Sequence, residues 1–175
     1  MSRALKALRL ALAFLTVLPI PFRDSEIHEA DLAASRFAYP VVGVLIGLVL
    51  AGLHEGLARG AIAAPLRAFL LLAAGVLLTG GLHLDGLADT CDGLFLWGGP
   101  ERRLAVMRDP HIGSFGATGL LLVLLGKYAA LVSLESGERT LALLGGAVAS
   151  RSGLLVMAGL APYARPEGTG RIVVA

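Results

Sequence analysis

Residues 66–95 read LRAFLLLAAGVLLTGGLHLDGLADTCDGLF, and the fold turns on how this stretch divides. Its first half carries one charge, Arg67, at the start of an apolar run long enough to approach a bilayer crossing. Its second half sets Asp85, Asp89 and Asp92 among leucines and glycines. About twenty apolar residues are needed to span the hydrocarbon core. We therefore read residues 66–84 as a span delivering a carboxylate-rich segment to the membrane boundary.

The whole chain supports a membrane setting. It has 175 residues, of which 56% are hydrophobic and 16% charged, and its mean hydropathy is +0.77. Soluble domains carry about 25% charged residues. Besides residues 66–84, apolar segments occur at 39–57, 116–134 and 140–161. The expected class is all-α: a polytopic integral membrane helical protein of about four to five spans in one membrane domain over residues 1–175. The net charge of +2 gives no indication of nucleic-acid binding.

The N-terminal MSRALKALRLALAFLTVLPIPF has a basic start and an apolar run, as a signal peptide does. It lacks a small-x-small cleavage pattern and ends in Pro19 and Pro21. Arg3, Lys6 and Arg9 recur every third residue, which predicts an uncleaved amphipathic helix at the membrane surface or a short first span. The lone Cys91 excludes an intrachain disulfide and reads as a small, half-buried filler.

Cationic residues set the orientation. With residues 83–115 as a cytoplasmic active-site loop, Arg3, Lys6, Arg9, Arg23, Arg36, Arg102, Arg103, Arg108, Arg165 and Arg171 fall inside. Arg59, Arg67 and Arg139 fall outside. Lys127 and Arg151 lie within spans, where charge is costly. Lys127 fits snorkelling or pairing with a neighbouring helix. Arg151, in GAVASRSG, reads as a functional group.

If residues 82–94 are helical, Asp89 lies about 40° from Asp85, and Asp92 about 20° on the other side. Three like charges on one narrow face repel. A bound cation reverses that penalty, and oxygen ligands suit Mg²⁺, which keeps positions for water and substrate phosphate. Asp85, Asp89 and Asp92 are therefore the expected metal ligands. A solvated helix face is the alternative. His83 is read either as a proton acceptor or phosphate ligand, or as a satisfied structural histidine.

Downstream, ERRLAVMRDPHIGSFGATG supplies Arg102, Arg103 and Arg108, each able to bind phosphate through bidentate donors. Positive-inside anchoring would also place them there. Gly113, Gly116 and Gly119 recur before the next span. That pattern fits an anion site at a helix start, or small-residue helix packing. Ser114 and Arg151 join the expected substrate-binding set, and Asp109 is a catalytic or second-metal candidate. Together these features predict Mg²⁺-dependent chemistry on a phosphorylated substrate at the membrane surface.

The same residues resemble the cobalamin synthase (adenosylcobinamide-GDP ribazoletransferase) family. The resemblance rests on TGGLHLDGLADTCDGLF followed by RRLAVMRDPHIGSFG. It extends to LALAFLTVLPIP, SRFAYPVVGVLIG and ASRSGLLVMAGLAPYARPEGTG. It implies a Mg²⁺-using enzyme of the inner (plasma) membrane with its active site facing the cytoplasm. The implied reaction joins adenosylcobinamide-GDP to α-ribazole or its 5′-phosphate. It releases GMP and yields adenosylcobalamin or its 5′-phosphate. Association with other cobalamin-assembly enzymes fits that place, although no residue here points to it.

Members of that family continue with further spans and a Gly-x-Thr-Gly-Asp motif, which these 175 residues lack. The chain accordingly reads as a fragment, a frameshifted product or a shortened homologue. The competing readings are a CDP-alcohol phosphotransferase, a prenyltransferase with paired Asp motifs, and a cation transporter or scaffold. The first expects Arg at the position after Ala88 that Asp89 occupies, the second needs two Asp-rich motifs, and a transporter would hold its carboxylates at mid-membrane depth.

Overall fold

The computed structural model describes residues 2–22 and 27–164; Arg23, Arg165, Arg171 and the end of the ASRSGLLVMAGLAPYARPEGTG stretch lie outside them. Among the described residues the elements are α-helices α1 (Arg3–Leu15), α2 (Glu29–Ser35), α3 (Tyr39–Arg59), α4 (Ala64–Thr79), α5 (Leu82–Leu94), α6 (Pro100–Val106), α7 (Ser114–Ser133) and α8 (Ser136–Leu160), with a 3₁₀ turn at Arg36–Ala38. They form two compact units: residues 1–62 with 135–175, and residues 63–134.

In the first unit, α1 begins where the Ser2 hydroxyl accepts the Leu5 N–H at 3.3 Å. It buries Leu10, Ala11 and Leu15 and leaves Arg3 exposed, as an amphipathic helix should. Lys6 Nζ meets Asp31 Oδ2 at 2.5 Å and ties α1 to α2. Arg9 donates to the Pro21 carbonyl, which folds the proline-bearing exit back along the helix.

Pro40, in the first turn of α3, suits a position where no intrahelical N–H bond is lost. The core of this unit is the α3–α8 pair. A Cβ added at Gly43 would stand 2.7 Å from the Ala147 carbonyl oxygen, and one at Gly47 would stand 2.8 Å from Leu144 Cα. The two backbones therefore touch where side chains would normally hold helices apart.

The far end of the pair is polar. Buried His54 places Nε2 3.1 Å from Ser136 Oγ, and Thr140 Oγ1 donates to Glu55 Oε1 at 3.0 Å.

In the second unit, α4 stops at Thr79, short of the expected Leu84. Gly80 and Gly81 both adopt left-handed φ, 62° and 69°, and their N–H groups close the last turn on Leu77 and Val76. Two such residues in succession end a helix where continued helical φ would be required. The chain bends by 91° and restarts as α5. The stretch 83–115, expected as a loop, is thus mostly α5 and α6 joined by tight turns.

Among the described residues three helical stretches are long and apolar enough to cross a membrane: 29–59, Ser114–Ser133 and Ser136–Leu160. A fourth crossing arises if bent α4–α5 is one span. Leu77, Leu125, Leu141 and Leu160 are 73%, 61%, 71% and 78% exposed, which suits helices facing an apolar surround rather than water. The fold is that of a polytopic helical membrane protein.

Candidate active site

Three carboxylates do share one face of α5, but they divide between two tasks. Asp85 and Asp89 line a pocket of about 360 Å³ whose facing wall is the turn from Met107 to Ile112. Arg108, Asp109 and His111 come from that turn, and Ala88 and Leu120 close the pocket. Asp85 is exposed and Asp89 half-buried.

Asp92 turns instead toward the start of α7. Its Oδ2 accepts the Gly113 N–H and its Oδ1 accepts the Gly116 N–H, both at 2.8 Å. The glycine-rich helix start is an anion site whose anion is this carboxylate. A Cβ at either glycine would fall on the Asp92 carboxylate. Gly119 continues the stripe, and a Cβ there would stand 2.5 Å from Cys91 Sγ. Cys91 is therefore the half-buried filler its sequence context suggests.

Asp109 makes the site's most organised polar turn. Its Oδ1 accepts the His111 N–H at 2.9 Å and sits 2.7 Å from His111 Nδ1. The backbone bond first, and the ring second, hold the Asp109 carboxyl below the ordinary carboxylate range. Asp109 thus stays ionised at neutral pH. Its contact engages His111 Nδ1, so Nε2 is the ring nitrogen that remains for another partner.

The arginines are spread out. Arg108 lines the pocket. Arg102 and Arg103 lie on α6, where Arg102 folds against Gly98, close enough that a Cβ there would stand 2.9 Å from Arg102 Cδ. Met107 fills the space over Gly93, which docks the end of the α6 segment onto α5.

Ser114 is exposed in the first turn of α7. His83 is half-buried on α5 and is not part of the pocket wall. Arg151 belongs to the first unit, on α8, where Nη1 donates to Ser150 Oγ at 2.8 Å. His111 is the residue the sequence reading missed. Its signal was present: Asp followed two residues later by His is the spacing of an Asx turn.

Of the three expected metal ligands, Asp92 is engaged by the α7 N–H groups while Asp85 and Asp89 line the pocket. Among the described residues no group of three or more His, Cys, Asp or Glu is gathered as a metal site. Asp85 and Asp89, side by side on the α5 wall of the pocket, still fit Mg²⁺, which is commonly held by one or two carboxylates together with substrate phosphates and water.

Residues 7–175 match the cobalamin-5-phosphate synthase family, CobS. The chain belongs to that family. An adenosylcobinamide-GDP ribazoletransferase of Geotalea daltonii is 43% identical over 164 residues, covering 94% of this chain and 65% of the relative. One of Chlorobaculum tepidum is 41% identical over 167 residues, covering 94% and 63%. One of Pseudomonas paraeruginosa is 42% identical over 179 residues, covering 99% and 70%. The chain thus spans about two thirds of the length of these relatives. No solved structure matches it.

Proposed function

We propose that this chain carries the metal- and phosphate-handling part of an adenosylcobinamide-GDP ribazoletransferase. The observation that bears most weight is the pocket itself. It sets Asp85 and Asp89 opposite Arg108, Asp109 and His111 in a chain of this family. A cationic side chain beside paired carboxylates is the equipment phosphoryl transfer needs, because that chemistry depends on positioning and charge neutralisation.

In the proposed reaction the 3′-hydroxyl oxygen of α-ribazole, or of its 5′-phosphate, attacks the phosphorus on the cobinamide side of the diphosphate. A new O–P bond forms, the diphosphate O–P bond breaks, and GMP leaves with the bonding pair. Asp85 and Asp89 would hold Mg²⁺, which when bound supplies positive charge to the diphosphate.

Arg108 binds a phosphate oxygen from the opposite wall, and Arg102 and Arg103 extend the cationic surface along α6. The ionised Asp109 orients His111, whose Nε2 takes the hydroxyl proton. By motif position Ser114 and Arg151 remain substrate-binding candidates, and His83 remains a catalytic candidate. The distribution of arginines along the sequence supports a site facing the cytoplasm, and the apolar helices support an integral protein of the inner membrane.

Product analysis tests this reading. The chain, and a form extended with the C-terminal part of its relatives, would receive adenosylcobinamide-GDP, α-ribazole and Mg²⁺. Mass spectrometry would follow GMP and the ligated corrinoid. Equimolar formation of both products is expected from the extended form. Its failure to form either would overturn the assignment.

A further inference from the structure

We infer that Asp92 is a positioning residue rather than a metal ligand: it clamps the first turn of α7 and so holds the 107–112 wall opposite Asp85 and Asp89. The inference deepens the proposed transferase reading and rests on it only for its catalytic consequence. The clamp stands on geometry alone.

Helix α7 starts after Gly113, whose lack of a side chain leaves the first turn without a local cap. The orphan N–H groups of a helix start must be satisfied. Asp92, twenty-one residues upstream of Gly113, does this from α5. One oxygen takes the Gly113 N–H and the other the Gly116 N–H, both at 2.8 Å. A negative charge at that end also complements the helix dipole.

Both glycines are required for the approach, since a Cβ at either would occupy the carboxylate's place. A Cβ at Gly116 would also stand 3.0 Å from the Ala88 carbonyl. Asp92 is thus enclosed by backbone on the side it presents to α7.

The consequence follows from chain order. Arg108, Asp109 and His111 sit in the few residues before Gly113. Their far anchor is Met107, just past the end of α6, which rests on Gly93. Their near anchor is the Asp92 clamp. Both anchors are on α5, the helix that also carries Asp85 and Asp89. The helical spacing therefore separates functions along one face: two carboxylates point into the pocket, and the third, one turn on, sets the width of that pocket.

The test separates clamp from ligand and is read without activity as well as with it. Amide hydrogen exchange of residues 113–117 would be measured in detergent micelles for the wild type, Asp92→Asn, Asp92→Ala and Gly116→Ala. Two charge-assisted bonds predict exchange at least about tenfold faster in Asp92→Ala, with Asp92→Asn intermediate because its amide keeps one acceptor oxygen. Gly116→Ala, which displaces the carboxylate, should match Asp92→Ala, and Asp92→Ala combined with Gly116→Ala should be little worse than either alone. Unchanged exchange in Asp92→Ala would overturn the clamp even if no GMP is ever released.

In the active extended form, the clamp predicts that Asp92→Asn and Gly116→Ala both lower kcat and leave the Mg²⁺ half-saturation concentration unchanged. A raised Mg²⁺ requirement in Asp92→Asn with normal turnover in Gly116→Ala would show a ligand and refute the inference.

Discussion

Replacing Gly43 or Gly47 by alanine is the sharpest challenge to the helix pair that organises the first unit. The added Cβ at Gly43 would lie 2.7 Å from the Ala147 carbonyl oxygen and 2.9 Å from Val148 Cα. At Gly47 it would meet Leu144 Cα at 2.8 Å and Leu144 Cδ1 at 2.9 Å. Ordinary carbon contacts lie near 3.5–4.0 Å, so the backbones must part by roughly an ångström. The atoms in the way are mainly backbone and cannot rotate aside. Overpacking of this kind costs about 1–3 kcal/mol, while alanine regains at most about 1 kcal/mol of helix propensity.

Each variant should therefore be destabilised by up to about 2 kcal/mol. Gly52→Ala, on the same helix with open space around it, should be neutral or stabilised. Equilibrium unfolding in mixed micelles, titrated with a denaturing detergent, would compare the three. Equal stability of Gly43→Ala, Gly47→Ala and Gly52→Ala would refute the backbone contact between α3 and α8.

Further expectations concern the second unit. Gly81→Ala should destabilise by about 1 kcal/mol through its left-handed φ alone, because its Cβ meets nothing; Gly86→Ala, equally open but without a positive φ, should not, and the same unfolding titration compares them. Arg108→Ala should weaken substrate binding about tenfold or more through loss of a charge-assisted phosphate contact, seen as a raised KM in the extended enzyme.

Asp109 should titrate below the usual carboxylate range by carbon NMR. Its folded value is depressed, so its stabilising effect is present above the unfolded value and is lost as pH falls through the folded one. His111→Ala should return the titration only part of the way, since the larger cause, the backbone N–H of residue 111, remains.

Much of the site could be read from the sequence because its signals are local. The i, i+4, i+7 spacing of Asp85, Asp89 and Asp92 put them on one helix face, and α5 occupies Leu82–Leu94. The span boundaries at Tyr39 and Leu134 differ from the observed helix ends by a residue at most.

What the sequence concealed depends on contacts across the chain. Nothing in TCDGLF announces that Asp92 will spend its carboxylate on N–H groups at 113 and 116, because that choice is made by the docking of α5 on α7. The same docking accounts for both readings of the glycine stripe: the glycines pack against α5, and the N–H groups of Gly113 and Gly116 bind an anion that belongs to the protein. The end of α4 was overrun because hydropathy continues through Gly80 and Gly81, whereas backbone φ does not.

The central claim is that Asp85 and Asp89 act with the 107–112 turn on a phosphorylated, nucleotide-activated corrinoid. The most direct measurement is GMP release from adenosylcobinamide-GDP and α-ribazole by the extended enzyme in lipid vesicles, compared with Asp89→Asn at matched membrane insertion across a Mg²⁺ series. The account predicts Mg²⁺-dependent GMP release by the parent enzyme and its loss in Asp89→Asn at every concentration tested. Near-normal release by Asp89→Asn would contradict it.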